Sequence, residues 1–497
     1  MIIAATQALK PNALTIVTVI IFIIASIWIG IYAKKKAKTT EQYFGGTKSF
    51  GPMVVALSSA AAIMSAFGFI GGPGFVYRDG FTSIWMTFAA GIAFAFGYWI
   101  MGKKMRAMAE IIEVSTLPDI AKIRFKSEVV RGVLAIGILI AAIPYLASQI
   151  KGGGILIHKL LGVNEYVAVG ILVATLLIYT TISGMAGSIL TSAFQGFVMI
   201  IGVFGVIIGF FLLTGGKAME VIQASPKFGN TYVNAIGKQP MHYVFAYFII
   251  FTIGMMGQPA MVSKMYSIEK PRDVKSAGII SGLSYALASL VWLLVGYGAL
   301  YITASGGESL SKPDGAAFLF LGKMHIVIQA LVMAGLLAAI LSTSSFFISL
   351  ATGAITHDLM ASMGNEISHD RQIHWGRILT VVVTILAVFF AYAGGDLVGE
   401  LGALGWGFFA SVTIPVFLIG LFWKRTSQEG VIAGVILAIL INILFSLFKL
   451  ANIAKPPFPV YILSVGASIV VTVVVSLFTK TAAGEDLPEE IKPIFKL

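Results

Sequence analysis

The chain has 497 residues, of which 58% are hydrophobic and only 11% are charged. Soluble domains carry about 25% charged residues, so this composition excludes an ordinary soluble protein and indicates a membrane protein. The net charge of +12 requires no nucleic-acid partner, because basic loop residues beside a bilayer face anionic lipid. The lack of cysteine excludes disulfides and thiolate metal sites.

Apolar segments of about 20 residues, each long enough to cross a bilayer, recur along the whole chain. They predict an all-α, multi-pass protein of the cell membrane with roughly 13 transmembrane helices. These helices are expected near 12–33, 51–77, 81–102, 129–157, 164–183, 188–214, 242–265, 274–303, 325–355, 376–395, 398–422, 430–450 and 457–479.

A run of lysines follows the first apolar segment and consists of Lys34, Lys35, Lys36 and Lys38. A cleavable signal peptide carries its charge before the apolar region, so this segment is predicted to be a retained membrane helix. The positive-inside rule places the lysines in the cytoplasm and the N-terminus outside. With 13 helices, the C-terminus is then expected inside.

Two predicted helices contain sequences that allow the helix to unwind within the membrane. The first runs from Ala60 to Gly74 and ends in Gly-Gly-Pro-Gly, and the second is 254–259, where Gln258 precedes a proline. A proline kink with a small-residue packing face is the alternative for each. However, each lies in the first helix of a five-helix block, 51–214 or 242–422. An odd number of helices inverts the second block, and corresponding breaks in inverted halves indicate a binding site.

Four consecutive hydroxyl residues, 342–345, lie in another apolar segment. Ala339, Ser342 and Thr343 share one helix face, where a carbonyl and two hydroxyls form half of an oxygen cage for a small cation. Hydrogen bonding of the hydroxyls to carbonyls one turn earlier, or across a helix contact, is the alternative.

At these residues the chain resembles the sodium–solute symporter family, which includes proline, sialic acid, galactose, pantothenate and acetate carriers. The resemblance covers essentially the whole chain. Its markers are Glu41-Gln42-Tyr43-Phe44, Phe69-Ile70-Gly71-Gly72-Pro73-Gly74, Gly257-Gln258-Pro259, and Leu421-Phe422-Trp423-Lys424-Arg425 followed by Gly430.

This resemblance implies a leucine-transporter-type fold with two inverted repeats of five helices. The expected division is 1–50 as an extra helix and basic cytoplasmic loop, 51–214 as the first repeat, 215–241 as an extracellular loop, 242–422 as the second repeat, and 423–497 as two extra helices and a cytoplasmic tail.

The resemblance also implies a sodium ion between the first and eighth core helices. Its ligands are expected to be the carbonyls of Ala61, Met64 and Ala339 and the hydroxyls of Ser342 and Thr343. Five uncharged oxygens suit Na⁺ and lack the carboxylates expected around Ca²⁺ or Mg²⁺.

Some relatives hold a second sodium with an aspartate, but this chain has Ser192 at that position, in Thr191-Ser192-Ala193-Phe194-Gln195. One sodium per cycle is therefore expected. Proton coupling is the weaker alternative, because almost no acidic residue lies deep in the apolar segments.

Substrate contacts are expected near the two breaks. The resemblance points to Ser65, Phe251, Met255 and Gln258, and Phe69 flanks the first break, where packing is its alternative role.

Lys151 lies on the third core helix, and an ammonium in a membrane implies a partner. A substrate carboxylate is one candidate. A side chain that snorkels to water is the alternative.

The resemblance implies a sodium-coupled symporter that works by alternating access, and a small monocarboxylate is the leading substrate because parts of the chain resemble the acetate and pantothenate carriers. A proline-type amino acid is the alternative, and a proton-coupled carrier or a channel is a further class. The six histidines are scattered, and no catalytic arrangement indicates an enzyme. The expected partners are Na⁺, a small organic substrate and the lipid bilayer, and the sequence does not reveal the oligomeric state.

Overall fold

A computed structural model describes residues 11–34, 50–88, 90–111, 114–365, 368–393, 397–450, 459–479 and 489–496. These residues are predominantly helical, and Phe50 and Ile268 form an isolated β-bridge. Eleven helices in the described ranges are long and apolar enough to cross a membrane, and two shorter apolar helices are Pro52–Ile63 and Glu165–Thr181. The all-helical membrane fold is thus confirmed. The count of 13, the side of each terminus and the repeat boundaries stay predictions.

The helices in the first half of the chain are α1 (Ala13–Lys34), α2 (Pro52–Ile63), α3 (Gly72–Asp79), α4 (Trp85–Phe88), α5 (Ala90–Gly97), α6 (Lys103–Ile111), α7 (Leu117–Phe125), α8 (Glu128–Leu161), α9 (Glu165–Thr214) and α10 (Ala218–Ala224). Those in the second half are α11 (Met241–Met255), α12 (Pro259–Met265), α13 (Val274–Ala304), α14 (Ala316–Leu321), α15 (Ile326–Gly353), α16 (Met360–Ser362), α17 (His369–Ala393), α18 (Val398–Ile414), α19 (Gly420–Phe422), α20 (Gln428–Leu450) and α21 (Val460–Phe478). Short π turns are Phe67–Gly71, Tyr98–Gly102, Ala354–Leu359 and Pro415–Ile419, and short 3-10 turns are Gly80–Ile84, Asn230–Tyr232, Pro271–Asp273, Pro313–Gly315 and Glu489–Lys496.

Some sequence features fall outside the described residues. They are the lysines at 35, 36 and 38 and the motif at 41–44.

Both interruptions expected from the sequence are present. The first separates α2 from α3, with the π turn Phe67–Gly71 leading into α3, and the second separates α11 from α12. Pro259 lies at the start of α12, directly after the second break, whereas Pro73 lies in the first turn of α3, after the π turn that begins the outer side of the first break. At Pro259 the missing N–H costs no hydrogen bond, because the first positions of a helix have no helical acceptor.

Glycines on α18 allow the first break and α8 to approach closely. A Cβ atom on Gly402 would lie 2.5 Å from the Cβ of Phe67, and one on Gly405 would lie 2.6 Å from the backbone nitrogen of Tyr145. Small residues permit such contacts between membrane helices. Helix α18 therefore holds the broken segment against α8, while α2 packs against α9, α12, α13 and α15.

Candidate functional site

The first break exposes backbone carbonyls in the interior of the bundle. The Met64 N–H donates to the Ala60 carbonyl at 2.9 Å, and the backbone of Met64 is extended, with φ −74° and ψ 101°. The last carbonyls of α2 therefore lie at a helix end, where helical donors are missing. Residues 60 to 66 are all buried, so these carbonyls need other partners.

The hydroxyls of α15 face these carbonyls. The Ser342 hydroxyl lies 2.9 Å from the Ala61 carbonyl oxygen and 3.0 Å from that of Ala339. The Thr343 hydroxyl lies 3.2 Å from the Ala62 carbonyl oxygen and 3.5 Å from that of Ala61. Both alternatives from the sequence are thus present in part: Ser342 bonds within its own helix, and both hydroxyls reach across to α2.

This convergence of oxygens suits a small cation. Ser342 and Thr343 are fully buried, and each hydroxyl carries one proton but lies near two carbonyl oxygens. A cation at this point would instead be held by the lone pairs of all these oxygens. The structure brings together four of the five predicted sodium ligands, Ala61, Ala339, Ser342 and Thr343, and Met64 lies where the backbone leaves α2. Sodium ligation by these residues stays a prediction.

Ser192 is also fully buried, and its hydroxyl has no hydrogen-bond partner in the described part of the chain. A serine contributes no charge to offset that of an ion, unlike the aspartate of some relatives. The expectation of one transported sodium is unchanged and stays untested.

Polar side chains of α8, together with Ser65, form hydrogen bonds with further backbone N–H and carbonyl groups that have no helical partner at the first break. The Ala66 N–H donates to Gln149 Oε1 at 2.8 Å, and the Phe67 N–H donates to the Ser65 hydroxyl at 3.2 Å. The Tyr145 hydroxyl lies 3.3 Å from the Ile63 carbonyl oxygen. These contacts keep the break stable inside the bundle, since an unpaired buried amide or carbonyl costs about 1–3 kcal/mol.

The second break is fixed through α18. Gln258 Nε2 donates to the carbonyls of Trp406 at 2.9 Å and Gly254 at 3.2 Å. Gly254 also lets the Trp406 ring approach, because a Cβ atom there would lie 2.5 Å from that ring. Gln258 was predicted to contact substrate, and its amide nitrogen here connects the two sides of the break.

Aromatic rings lie between the two breaks. The ring of Phe251 stacks on Trp406 with centroids 4.1 Å apart and lies 6.1 Å from the ring of Phe67. Phe67 in turn meets Trp292 edge to face at 5.1 Å. Met255 is buried at the end of α11. These residues place an apolar, aromatic surface beside the polar groups of the broken helices.

Phe69 is also buried, in the π turn after the first break. Its predicted contact with substrate stays untested.

Lys151 is half-buried on α8, and it has an acidic neighbour that is distant in sequence. Burial raises the pKa of Asp314 to about 6, while the Val398 N–H and the positive charge of Lys151 oppose the rise. Asp314 Oδ2 accepts a hydrogen bond from the Val398 N–H at 2.8 Å, which caps the start of α18. The charge of Lys151 therefore acts on a carboxylate of the protein itself, that of Asp314.

Several residues at this site were not predicted from the sequence. Lys264 on α12 is 2% exposed; its side-chain nitrogen donates to the Ser58 carbonyl of α2 at 2.6 Å and lies 5.1 Å from the Phe346 ring centre. Tyr145 and Trp406 were missed as well. A lysine inside an apolar segment shortly after the Gly-Gln-Pro motif could have indicated Lys264, and the spacing of four residues between Tyr145 and Gln149 could have indicated Tyr145.

Two interrupted helices whose ends meet converging oxygens inside a membrane bundle are typical of secondary transporters. The family profile agrees, since that of the sodium:solute symporter family matches residues 43–438, and the chain belongs to this family. The protein is therefore a multi-pass, sodium-coupled membrane transporter and not an enzyme.

Relatives match the chain along most of its length. The osmoregulated proline transporter OpuE of Bacillus subtilis is 27% identical over 472 residues, which covers 92% of this chain and 94% of that protein. The high-affinity proline transporter PutP of Bacillus subtilis is 28% identical and covers 82% of this chain and 87% of its own length. A sodium/proline symporter of Staphylococcus aureus is 26% identical, covering 96% and 95%.

The fold is shared with a solved structure. A Na⁺-coupled sialic acid symporter in a substrate-bound, outward-open state superposes with a TM-score of 0.75 at 16% identity, covering 95% of this chain and 99% of that one. At this identity the similarity establishes the fold alone. The leucine-transporter-type architecture expected from the sequence is confirmed.

Replacement of Ser342 or Thr343 by alanine should weaken sodium dependence. Each change removes a hydroxyl that lies within 3.5 Å of the α2 carbonyls. We take the value for a hydrogen bond to a charged group, about 1.5–3 kcal/mol, as the scale of one hydroxyl–Na⁺ contact, and a tenfold change corresponds to about 1.4 kcal/mol. The sodium concentration for half-maximal uptake should therefore rise about tenfold or more.

Ser344→Ala is the matched control, because Ser344 is equally buried on the same helix and its hydroxyl has no partner among the described residues. Its sodium dependence should equal that of the wild type. If all three variants behave alike, the predicted cage is wrong.

Asp314→Asn should change how stability depends on pH. The folded protein holds the Asp314 proton more tightly than the unfolded chain does, since burial raises this pKa from 3.8 to about 6. The wild type should therefore lose stability as the pH rises through this range, by at most about 3 kcal/mol. Asparagine keeps an acceptor for the Val398 N–H but does not titrate.

The measurement is the melting temperature of purified protein from pH 4 to 7. The advantage of Asp314→Asn over wild type should grow with pH. Asp370→Asn, at an exposed position on α17, serves as the control. A constant difference at all pH values would contradict the predicted role of Asp314.

Proposed function

We propose that this protein is a sodium-coupled symporter for a proline-type amino acid and that it carries one Na⁺ per substrate by alternating access. The observation that carries the proposal is the match, over most of the chain, to relatives named as proline transporters. The sequence favoured a monocarboxylate, but these relatives favour the amino acid that the sequence offered as the alternative.

The first break offers a site for a substrate carboxylate. The Ala66 and Phe67 N–H groups lie at the start of the outer half-helix, where backbone donors and the helix dipole favour an anion. At present they donate to Gln149 Oε1 and the Ser65 hydroxyl. A carboxylate would replace these two uncharged oxygens, and Ser65 would then be free to contact the substrate.

An amino acid also needs acceptors for its amine. The carbonyl ends of α2 and α11 lie at the two breaks and carry the negative end of each helix dipole. Both ends of a zwitterion thus have a complementary partner in the broken helices. A monocarboxylate would use only one of them.

The aromatic surface suits a small apolar body such as a pyrrolidine ring. The rings of Phe67 and Trp406 both stack on Phe251. Met255 follows Phe251 one turn later on α11. A sugar would need several further hydrogen-bonding side chains. We therefore propose Ser65, Phe69, Phe251, Met255 and Gln258 as the substrate-binding residues.

Sodium couples to the substrate through the first break. An ion held by α2 and α15 would fix the end of α2, and the substrate site begins within a few residues of that end. Each ligand then favours the conformation that binds the other, so their affinities should rise together. Rocking of the bundle would release both on the other side.

The net charge carried across the membrane in each cycle distinguishes a zwitterionic amino acid from a monocarboxylate. A zwitterion with one Na⁺ carries one net charge, worth about 2.3 kcal/mol per 100 mV, whereas a monoanion with one Na⁺ carries none. In proteoliposomes with Na⁺ outside, L-proline should therefore evoke an inward current, and acetate should evoke none. Choline in place of Na⁺ serves as the control and should abolish the current. Electroneutral, Na⁺-dependent uptake of a monocarboxylate without proline transport would overturn this proposal.

Lys151→Met tests whether Lys151 contacts the substrate. The positive charge of Lys151 already acts on the Asp314 carboxylate, so loss of the ammonium should change the substrate affinity by less than about twofold, or 0.4 kcal/mol. Lys159→Met, on the same helix, is the matched control. A drop of more than about tenfold in Lys151→Met alone would instead make Lys151 the counterion of a substrate carboxylate.

A further inference from the structure

The side chain of Gln149 on α8 lies where a substrate carboxylate would bind at the first break. Its amide oxygen accepts a hydrogen bond from the Ala66 N–H, with 2.8 Å between the nitrogen and the oxygen. A backbone N–H has one hydrogen to donate, and it donates well to one acceptor at this distance. A carboxylate oxygen and Gln149 Oε1 therefore exclude each other at the Ala66 N–H.

The packing around this hydrogen bond leaves the side chain and a ligand no room to share the position. Ser65, Ala66 and Gln149 are fully buried, and Tyr145 is 1% exposed. Helix α8 also lies directly against the break, because a Cβ atom on Gly152 would be 2.6 Å from the Cβ of Ala66. A ligand that reaches the Ala66 N–H must therefore move the Gln149 side chain.

The nitrogen of the same amide is held by α8 itself. Gln149 Nε2 donates to the Ser148 hydroxyl at 2.8 Å and to the Tyr145 carbonyl at 3.3 Å. With two acceptors beside it, the nitrogen can keep one of them after the oxygen has left the Ala66 N–H. The main cost of moving Gln149 is then the loss of one hydrogen bond between α8 and the broken helix.

A carboxylate is the kind of ligand that can displace this amide. Hydrogen bonds to an ionised acceptor are roughly twice as strong as those between neutral groups, and the helix dipole favours an anion at the start of the outer half-helix. Gln149 carries no charge. It gives the Ala66 N–H a partner in the empty protein, and that bond is lost when the substrate binds. Gln149 thus stabilises the empty state and lowers the affinity for substrate.

We propose that Gln149 is an internal competitor of the substrate: its amide oxygen fills the carboxylate position in the empty protein and leaves it when the substrate binds. This rests on the proposed function, since it requires a substrate with a carboxylate. Gln149 would keep the first break paired throughout the return of the empty carrier. The weaker binding that it causes would also speed release of the substrate at the end of each cycle.

Equilibrium binding of radiolabelled L-proline to the purified full-length protein in saturating Na⁺ tests this competition. Gln149→Met keeps the approximate size of the side chain but removes the competing oxygen. The dissociation constant for proline should fall about two- to tenfold, which is the effect of removing one neutral hydrogen bond from the empty state alone. A glutamine with a purely structural role would stay in place when the substrate binds, so its loss would not tighten binding.

Gln149→Asn is the second variant, and it remains informative if Gln149→Met does not fold. Its side chain is shorter by one methylene, so its oxygen falls short of the Ala66 N–H, and it should also bind proline more tightly than the wild type. Gln329→Met is the matched control. Gln329 is a half-buried glutamine on α15 whose amide donates to the Met324 carbonyl at 3.0 Å, and its replacement should leave the dissociation constant unchanged.

A dissociation constant equal to or higher than that of the wild type in the Gln149 variants that fold would overturn the proposal. The wild type reports separately on the proposed function. If it binds acetate and not proline, the proposed function is wrong, and the same variants measured with acetate decide the role of Gln149 by the same criterion. If the wild type binds neither ligand, both proposals fail.

Discussion

The structure depends on one constraint: a backbone amide or carbonyl buried in a membrane bundle must have a partner. Two helices of this protein break at residues that are buried in the bundle. The end of α2 is met by hydroxyls of α15, and the start of the following turn is met by Gln149 of α8. At the second break, Gln258 Nε2 donates a hydrogen bond to the Trp406 carbonyl of α18.

The same constraint connects structure to transport. The groups that need a partner are also the groups that can bind the transported species, because a cation can take the place of a hydroxyl donor at a carbonyl and a carboxylate can take the place of a side-chain oxygen at an N–H. Lys264 adds a contact from α12 to the Ser58 carbonyl of α2, so one half of each broken helix is joined to one half of the other. A conformational change at one break is therefore expected to alter the conformation of the other.

The sequence predicted the features that depend on local pattern. Helical spacing placed Ser342 and Thr343 on one face with Ala339, and the small residues before Ser65 and the proline after Gln258 marked both breaks. The sequence did not predict partners that meet only through packing. Gln149 lies 83 residues from Ala66, and Arg131 lies 227 residues from Asp358. Lys151 showed no acidic neighbour in the sequence, since Asp314 reaches it only because α18 and its cap lie over α8.

A pair of high-resolution maps of the purified protein, one in Na⁺ and one in choline, tests the central claim most directly. The account predicts density in the Na⁺ map alone, between the Ala61 carbonyl and the hydroxyls of Ser342 and Thr343, with the end of α2 ordered around it. Identical maps at that point, or an end of α2 that lies away from α15 in both, would contradict the account.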